Sequence, residues 1–309
     1  MRPHRRVRTV RVALVAAVLS AGLLIHCMPE STIPYPATIR PVAFLIERIA
    51  GSRMSQALVH PGRNPETYDP SVADLIQFRD CRVLFYVAPR LDGWAANFRE
   101  CPSHALLPEA PAKNDGGHRT GPSGHSHSRL EVFGPGDLST KGGSGDESDP
   151  HFWTDPHRIE AVLPVLQKHL VQAEPRSAER IEQEVRILAQ QMQSLEREAA
   201  DRLKHLQGKR AVLMHPTYAS FLREHGIEVV AIVEPLPGRE LSVKEWRQLL
   251  ALKPVDLIVH ERQLPFRQAR ILSRELNAKI VELDPMGSRA RNLTELLRNQ
   301  LDALADLDL

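Results

Sequence analysis

Residues 174–208 read EPRSAERIEQEVRILAQQMQSLEREAADRLKHLQG. Glu, Arg, Gln, Leu and Ala fill the run, and all are good helix formers. Pro175 suits a first helical turn, where its missing N–H is no loss. Gly208 suits the C-cap, where the backbone must take a conformation that side chains resist. The pattern predicts one continuous helix of about thirty residues, roughly 45 Å long at 1.5 Å per residue. A rod of that length between two other folded regions acts as a strut rather than a hinge.

On its C-terminal side, strand and helix patterns alternate. RAVLMH (210–215), EVVAIV (228–233), VDLIVHE (255–261) and KIVELD (279–284) read as strands. Each is followed by a run with apolar residues at helical spacing: PTYASFLREHG, SVKEWRQLLALK, FRQARILSREL and RARNLTELLRNQLDALADL. The N-terminal side is similar. ATIRPVAFLIERIAG (37–51) reads as a strand feeding a helix that stops at Gly51, MSQALV (54–59) as a strand, PSVADLIQFRD (70–80) as a helix, and residues 82–88 as a buried strand. The expected fold class is α/β: two doubly wound parallel-sheet lobes joined by one long rigid helix. The boundaries expected are an N-terminal lobe over 35–173, the linking helix over 174–208 and a C-terminal lobe over 209–309.

Two segments fall outside this alternation. Residues 111–149, PAKNDGGHRTGPSGHSHSRLEVFGPGDLSTKGGSGDESD, offer little to a core and read as a mobile loop within the N-terminal lobe. They carry His118, His125 and His127, which either collect metal weakly or belong to a solvated linker. The chain opens with MRPHRRVRTVR, with five Arg, followed by fourteen uncharged residues up to Ile25. A basic flank before a short apolar core is the pattern of a secretory signal, so residues 1–27 are expected to be a signal peptide or N-terminal anchor. Cys27 ends a lipoprotein-like LLIHC, although His26 stands where a small residue is wanted.

Of three Cys, Cys81 and Cys101 lie in the mature part. They can pair across a strand–helix unit in an oxidising compartment or remain as two partly buried thiols. Lys and Arg number 40 against 38 Asp and Glu, a net charge of +2 in 309 residues, with much of the basic excess in the first eleven. That balance argues against a nucleic-acid surface.

In open parallel sheets ligands sit beyond the carboxyl ends of the strands. The polar residues there are Glu66 in HPGRNPETYDP, His215, Glu261 and Asp284, and His151 joins them from DPHFWTDPH (149–157). Each has a plainer reading. His151 could open a helix, His215 could be a core imidazole, Glu66 and Asp284 could be turn residues, and Glu261 reads more readily as a helix cap than as a ligand.

Taken together, HPGRNPETYDPS, DPHFWTDP, GKRAVLMHPTYASFLREHGIEVVAI, the long helix and ELDPMG resemble the metal-binding solute-binding proteins of bacterial zinc and manganese ABC importers. The resemblance runs from about residue 37 to residue 309. It implies a metal site in the interlobe cleft with His151, His215 and Asp284 as second, third and fourth ligands. The first ligand of the family is ordinarily a His two residues before the Tyr of the first motif; here Glu66 stands there, two before Tyr68. It also implies a monomer outside the cytoplasm, periplasmic or otherwise extracytoplasmic, that captures a divalent ion and delivers it to an ABC permease. The His-rich loop favours Zn2+ as the transported ligand, with Mn2+ or Fe2+ as alternatives. Two other readings remain: a binding protein for an organic molecule or metal complex, and a secreted metallohydrolase, for which Glu261 is the spare carboxylate and no HExxH is present.

Overall fold

The computed structural model describes residues 33–60, 62–107, 130–132, 149–233 and 241–309. The expected signal segment and His118, His125 and His127 lie outside these residues.

In the N-terminal lobe the chain enters extended, and Ala37 bridges in parallel to both Ala57 and Phe85. Helix α1 (Arg40–Ala50) follows, with Pro41 in its first turn, and it is buried over most of its circumference, Phe44, Leu45, Ile46 and Ile49 included. It stops at Gly51, whose φ of 115° is open to glycine at little steric cost. The expected strand MSQALV is reduced to the single bridge at Ala57. A 3-10 turn at Pro65–Thr67 carries Glu66, and helix α2 (Val72–Gln77) is fixed by a Ser71/Asp74 capping box. Strand β1 (Leu84–Tyr86), the short helix α3 (Pro89–Asp92) and strand β2 (Ser103–Ala105) complete a parallel set. Cys81 and Cys101, just before β1 and β2, are joined by a disulfide with a Cα–Cα distance of 5.6 Å, which decides between the two readings of these residues.

Strand β3 (Leu130–Val132) lies inside the stretch read as a loop, yet it pairs antiparallel with a strand of the other lobe. Helix α4 (Pro156–Ala173) then leads to the long helix α5 (Ala178–Arg202). The strut is shorter than the sequence suggests, because Pro175–Ser177 and Lys204–Leu206 form separate 3-10 turns at its ends. Its buried residues are Ile181, Val185, Leu188, Met192, Leu195 and Ala199, alternately four and three apart. That spacing makes one apolar stripe. The first five belong to the N-terminal core, whereas Ala199 joins Leu203 and Leu206 in the C-terminal core.

The C-terminal lobe runs β4 (Arg210–Leu213), α6 (Ala219–Glu224), β5 (Glu228–Val233), α7 (Val243–Leu250), β6 (Leu257–Glu261), α8 (Phe266–Leu276), β7 (Lys279–Leu283) and α9 (Leu293–Ala305). Its sheet has the order β3-β5-β4-β6-β7, parallel apart from β3. In both lobes the parallel segments lie in the order second, first, third, fourth along the chain. The fold is therefore α/β with a doubly wound parallel arrangement on each side of the strut. Helix α9 adds a second bridge: Leu293, Leu296 and Leu297 enter the N-terminal core and Leu301 and Leu304 the C-terminal one. Its approach depends on Gly287, at φ 61°, where a Cβ would lie 2.7 Å from Leu296 Cδ1 and 3.4 Å from Phe44 Cε2. Among the described residues no helix is long and apolar enough to cross a membrane.

Candidate metal centre

Strands β4 and β6 are neighbours whose following helices lead to opposite edges of the sheet, which makes the crevice beyond their carboxyl ends the switch point of the lobe. His215 follows β4, and Glu261 ends β6. Across from them the N-terminal lobe supplies Glu66, on a turn stapled by Asn64, whose side chain accepts from the Glu66 N–H at 2.9 Å. It also supplies His151, at the start of the 3-10 turn Phe152–Thr154.

The three side chains Glu66, His151 and His215 present one ligand atom each within 4.8 Å of one another. One oxygen of Glu66 lies 3.3 Å from His151 Nε2, and the other lies 3.3 Å from His215 Nε2. The rings meet edge to face, with centroids 5.2 Å apart. His151 is held from behind: Asp149 Oδ1 accepts from its backbone N–H at 3.0 Å and from Nδ1 at 2.8 Å, while Arg158 donates to Asp149 Oδ2 at 2.6 Å. His215 Nδ1 lies 2.7 Å from Thr217 Oγ1 and 3.4 Å from Glu261 Oε1. Both imidazoles thus direct Nε2 toward a common point, as metal-binding histidines do when the other nitrogen is anchored.

The electrostatics follow from this packing. Burial alone would lower the proton affinity of both imidazoles, but Asp149 and Glu66 raise that of His151, and Glu261 and Glu66 raise that of His215 well above the ordinary value. Burial would raise the Glu66 carboxyl, yet hydrogen bonds from His151 and His215 carry it well below the usual carboxylate range. Burial acts the same way on the half-buried Asp149, yet its carboxyl is brought down to about 2, chiefly by His151.

The cavity they line is about 20 Å³, bounded also by Trp153, Thr217, Glu261, Gln263, Pro285 and Met286. A space of that size admits one ion or one water molecule. Two hydrogen bonds close the lobes around it: Trp153 Nε1 donates to the Pro285 carbonyl at 3.0 Å, and Thr154 Oγ1 donates to the Thr217 carbonyl at 2.8 Å.

Asp284 is not brought into the cluster. Its carboxylate accepts from Gln263 Nε2 at 2.8 Å and from the N–H and hydroxyl of Ser288 at 2.7 and 2.5 Å, which stabilises the turn into α9. Gln263, which does line the cavity, stands between. Glu261 corrects the helix-cap reading: the N-cap of α8 is Pro265, and Glu261 is a buried strand residue beside His215. Asp149 and Thr217 were not singled out from sequence. The Asp two residues before His151 was the available signal.

Two α/β lobes on a rigid helical frame, with imidazoles and carboxylates converging between them, have the architecture of a two-lobed binding protein. The chain belongs to the family described as ZnuA, zinc-uptake complex component A periplasmic, which it matches over residues 36–307. It is 21% identical to the zinc-binding lipoprotein AdcA of Streptococcus pneumoniae (strain ATCC BAA-255 / R6), over 95% of this chain and 59% of that relative. This chain thus spans about three-fifths of the length of that relative. It is 23% identical to the high-affinity zinc uptake system protein ZnuA of Yersinia pestis, over 88% of this chain and 89% of that one. A crystal structure of ZnuA superposes with a TM-score of 0.66 at 17% identity, covering 89% of this chain and 97% of the other.

Proposed function

We propose that this protein captures a divalent transition-metal ion outside the cytoplasm and delivers it to an ABC permease, acting as a binding protein and not as an enzyme. The observation that carries the reading is the convergence of Glu66, His151 and His215, drawn from both lobes, on a cavity of about 20 Å³. An organic solute does not fit that volume, which favours a bare ion over a larger ligand. Glu66, His151 and His215 are the first three donors. Asp284, one side chain behind Gln263, is the donor available for a fourth position once it exchanges its bonds to Gln263 and Ser288 for the ion.

Zinc is the favoured cargo. Two imidazoles suit it at about 2.0–2.1 Å, and relatives of this chain are named as zinc-binding or zinc-uptake proteins. Glu66 in place of an imidazole hardens the donor set and keeps manganese and ferrous iron as competitors. The family description as periplasmic and the name of AdcA as a lipoprotein support placement outside the cytoplasm, with Cys27 as the point of any lipid anchor. We expect a monomer, since both lobes of one chain furnish the site.

Elemental analysis and competitive titration against a chromophoric chelator test this. The wild type should hold a single tight zinc ion. His151→Ala and His215→Ala should each lose tight binding while keeping the wild-type circular dichroism. Unchanged affinity in either variant would reject the assignment.

A further inference from the structure

The two faces of the C-terminal sheet differ in what covers them. Along β4, Ala211 and Leu213 point into the core shared by α6, α9 and the end of the long helix, whereas Val212 points the other way. On that second side lie α7 and α8, which meet in one apolar cluster through Leu249, Ala269, Leu272 and Leu276. They form the outer layer of the lobe. Residues 243–253 and 266–276 carry Lys244, Arg247, Lys253, Arg267, Arg270 and Arg274 against only Glu245 and Glu275. Glu245 is engaged by the helix cap, where it accepts from the Ser242 N–H at 2.7 Å. All six cations are exposed, and among the described residues Lys244, Arg247, Lys253, Arg270 and Arg274 have no ion-pair partner. This is not the balance of the chain: with the five Arg of residues 1–27 set aside, its +2 becomes −3. Helix α5, also exposed on one side, interleaves its signs and pairs them, as Arg202 does with Glu198. Large apolar side chains are exposed in the same layer. Of the six so exposed among the described residues, Val243, Phe266 and Ile271 lie here, at 70%, 42% and 36% exposure. Val243 and Phe266 open their helices, which start from the carboxyl ends of the strands, so both stand at the end of the lobe that holds the metal crevice.

We infer that α7 and α8 dock on an anionic phospholipid surface, with the guanidinium and ammonium groups on headgroup phosphates and Val243 and Phe266 seated between the headgroups. This rests on reading the chain as a binding protein that works beside a membrane permease. A solvated helix face normally mixes both signs. Like charges without partners, with apolar residues between them, are instead the pattern of a helix that lies on a membrane surface. A protein partner fits less well, because interface cores are depleted in charge and centred on buried aromatic anchors, whereas here single apolar residues are separated by cations. A cation with no ion-pair partner is also free to follow headgroups that have no fixed positions. Docking of this kind keeps the protein in the plane of the bilayer beside its permease and makes no demand on the ion site.

Co-sedimentation with vesicles of pure phosphatidylcholine, or of phosphatidylcholine with about one-third phosphatidylglycerol, tests this. Residues 28–309 are used, because the five Arg of residues 1–27 would bind such vesicles by themselves and the described cores begin only at Tyr35. The wild type should bind the phosphatidylglycerol vesicles at low salt and release them in about 1 M salt, where charges are screened beyond about 3 Å. R247Q/R270Q/R274Q should bind about 100-fold more weakly, at about fivefold per cation, and V243S should show a smaller loss. R176Q/R186Q/R197Q removes three exposed Arg on and beside the long helix and should bind as the wild type does, which separates the layer from net charge. The inference is overturned if the wild type binds neither vesicle, binds both equally, or keeps its affinity in R247Q/R270Q/R274Q. A wild-type dimer that the same variant dissolves would give this face to a second copy and overturn it too. Zinc titration of the same samples should be unchanged throughout. Failure of the wild type to bind zinc tightly would remove the metal reading and leave the vesicle result as it stands.

Discussion

Glu66 stands where the resemblance implies a His, and its geometry gives that difference a meaning. Each of its oxygens lies 3.3 Å from one imidazole Nε2 on a side chain that is 36% exposed, which places it at the mouth of the proposed site. Glu66→Ala should weaken zinc binding by more than about tenfold, the lower end of what the loss of even an outer-shell partner costs, since it removes one of the proposed donors. Glu66→His should restore binding and raise the preference for zinc over manganese, because imidazole is the softer donor. The proton dependence should change as well. Binding requires neutral imidazoles, and against the effect of burial the neighbouring carboxylates raise the proton affinities of His151 and His215, so affinity falls as pH falls and begins to do so above the ordinary imidazole value of about 6.5. A third imidazole in place of Glu66 steepens that fall, toward three protons displaced per ion. Competition between zinc and manganese from pH 5 to 8 measures both effects. His151 and His215 were legible in the sequence because short motifs fix them at a strand end and an Asp-Pro step. Glu261 was not: the sequence ends its strand at the right residue, but only the packing of His215 beside it shows that the side chain is buried there instead of capping the next helix.

At the scale of elements, the start of α4 stores a charge that the fold tolerates poorly. Asp155 is its N-cap: Oδ1 accepts from the N–H groups of His157 and Arg158 at 2.9 and 3.3 Å, while Oδ2 is buried without a partner. Burial first, and then the nearby carboxylates of Glu224 on α6 and Glu196 on α5, push its carboxyl up to about 7. The native state therefore binds this proton more tightly than the unfolded chain does, and stability declines as pH rises from about 4 to about 7. Asp155→Asn keeps a capping oxygen and removes the charge. It should melt several degrees higher than wild type at pH 8, at about 2–4 °C per kcal/mol recovered, with a smaller gain at pH 5. Thermal melts at the two pH values check the sign, and an equal or lower melting temperature at pH 8 contradicts it. TDPHRIEAVLPVLQKHL carries apolar residues at helical spacing behind an Asp-Pro start, but the neighbours that make its cap costly come from residues 41 and 69 positions further along the chain. Strand β3 was missed for a related reason: Leu130–Val132 is three residues long, too short for alternation to register, and only its partner β5 makes it a strand.

At the scale of the whole molecule, the lobes are tied more firmly than a single strut implies. The long helix α5 contributes side chains to both cores, α9 does the same from the C-terminal side, and β3 carries the segment between β2 and His151 onto the sheet of the opposite lobe. The alternation of patterns on either side of residues 174–208 was enough to expect two lobes. The second and third ties depend on long-range packing that no local period reveals. They also separate two deletions that the sequence alone treats as equivalent. Removing residues 113–128 takes away His118, His125 and His127 and leaves β3 in place. The tight site and the melting temperature should be unchanged, and weaker zinc binding, where the arm supplies it, should vanish. Removing residues 113–147 also takes away β3, leaving β5 as an open edge and exposing apolar surface that Leu130 covers. That deletion should lower stability by about 1–2 kcal/mol and promote self-association through the unpaired edge, with the tight site still present because none of Glu66, His151 and His215 lies in the segment. Zinc titration, thermal melting and sedimentation of the two deletions side by side distinguish the roles. Loss of the tight site in the shorter deletion would show that the metal is held by the arm and not by the cleft.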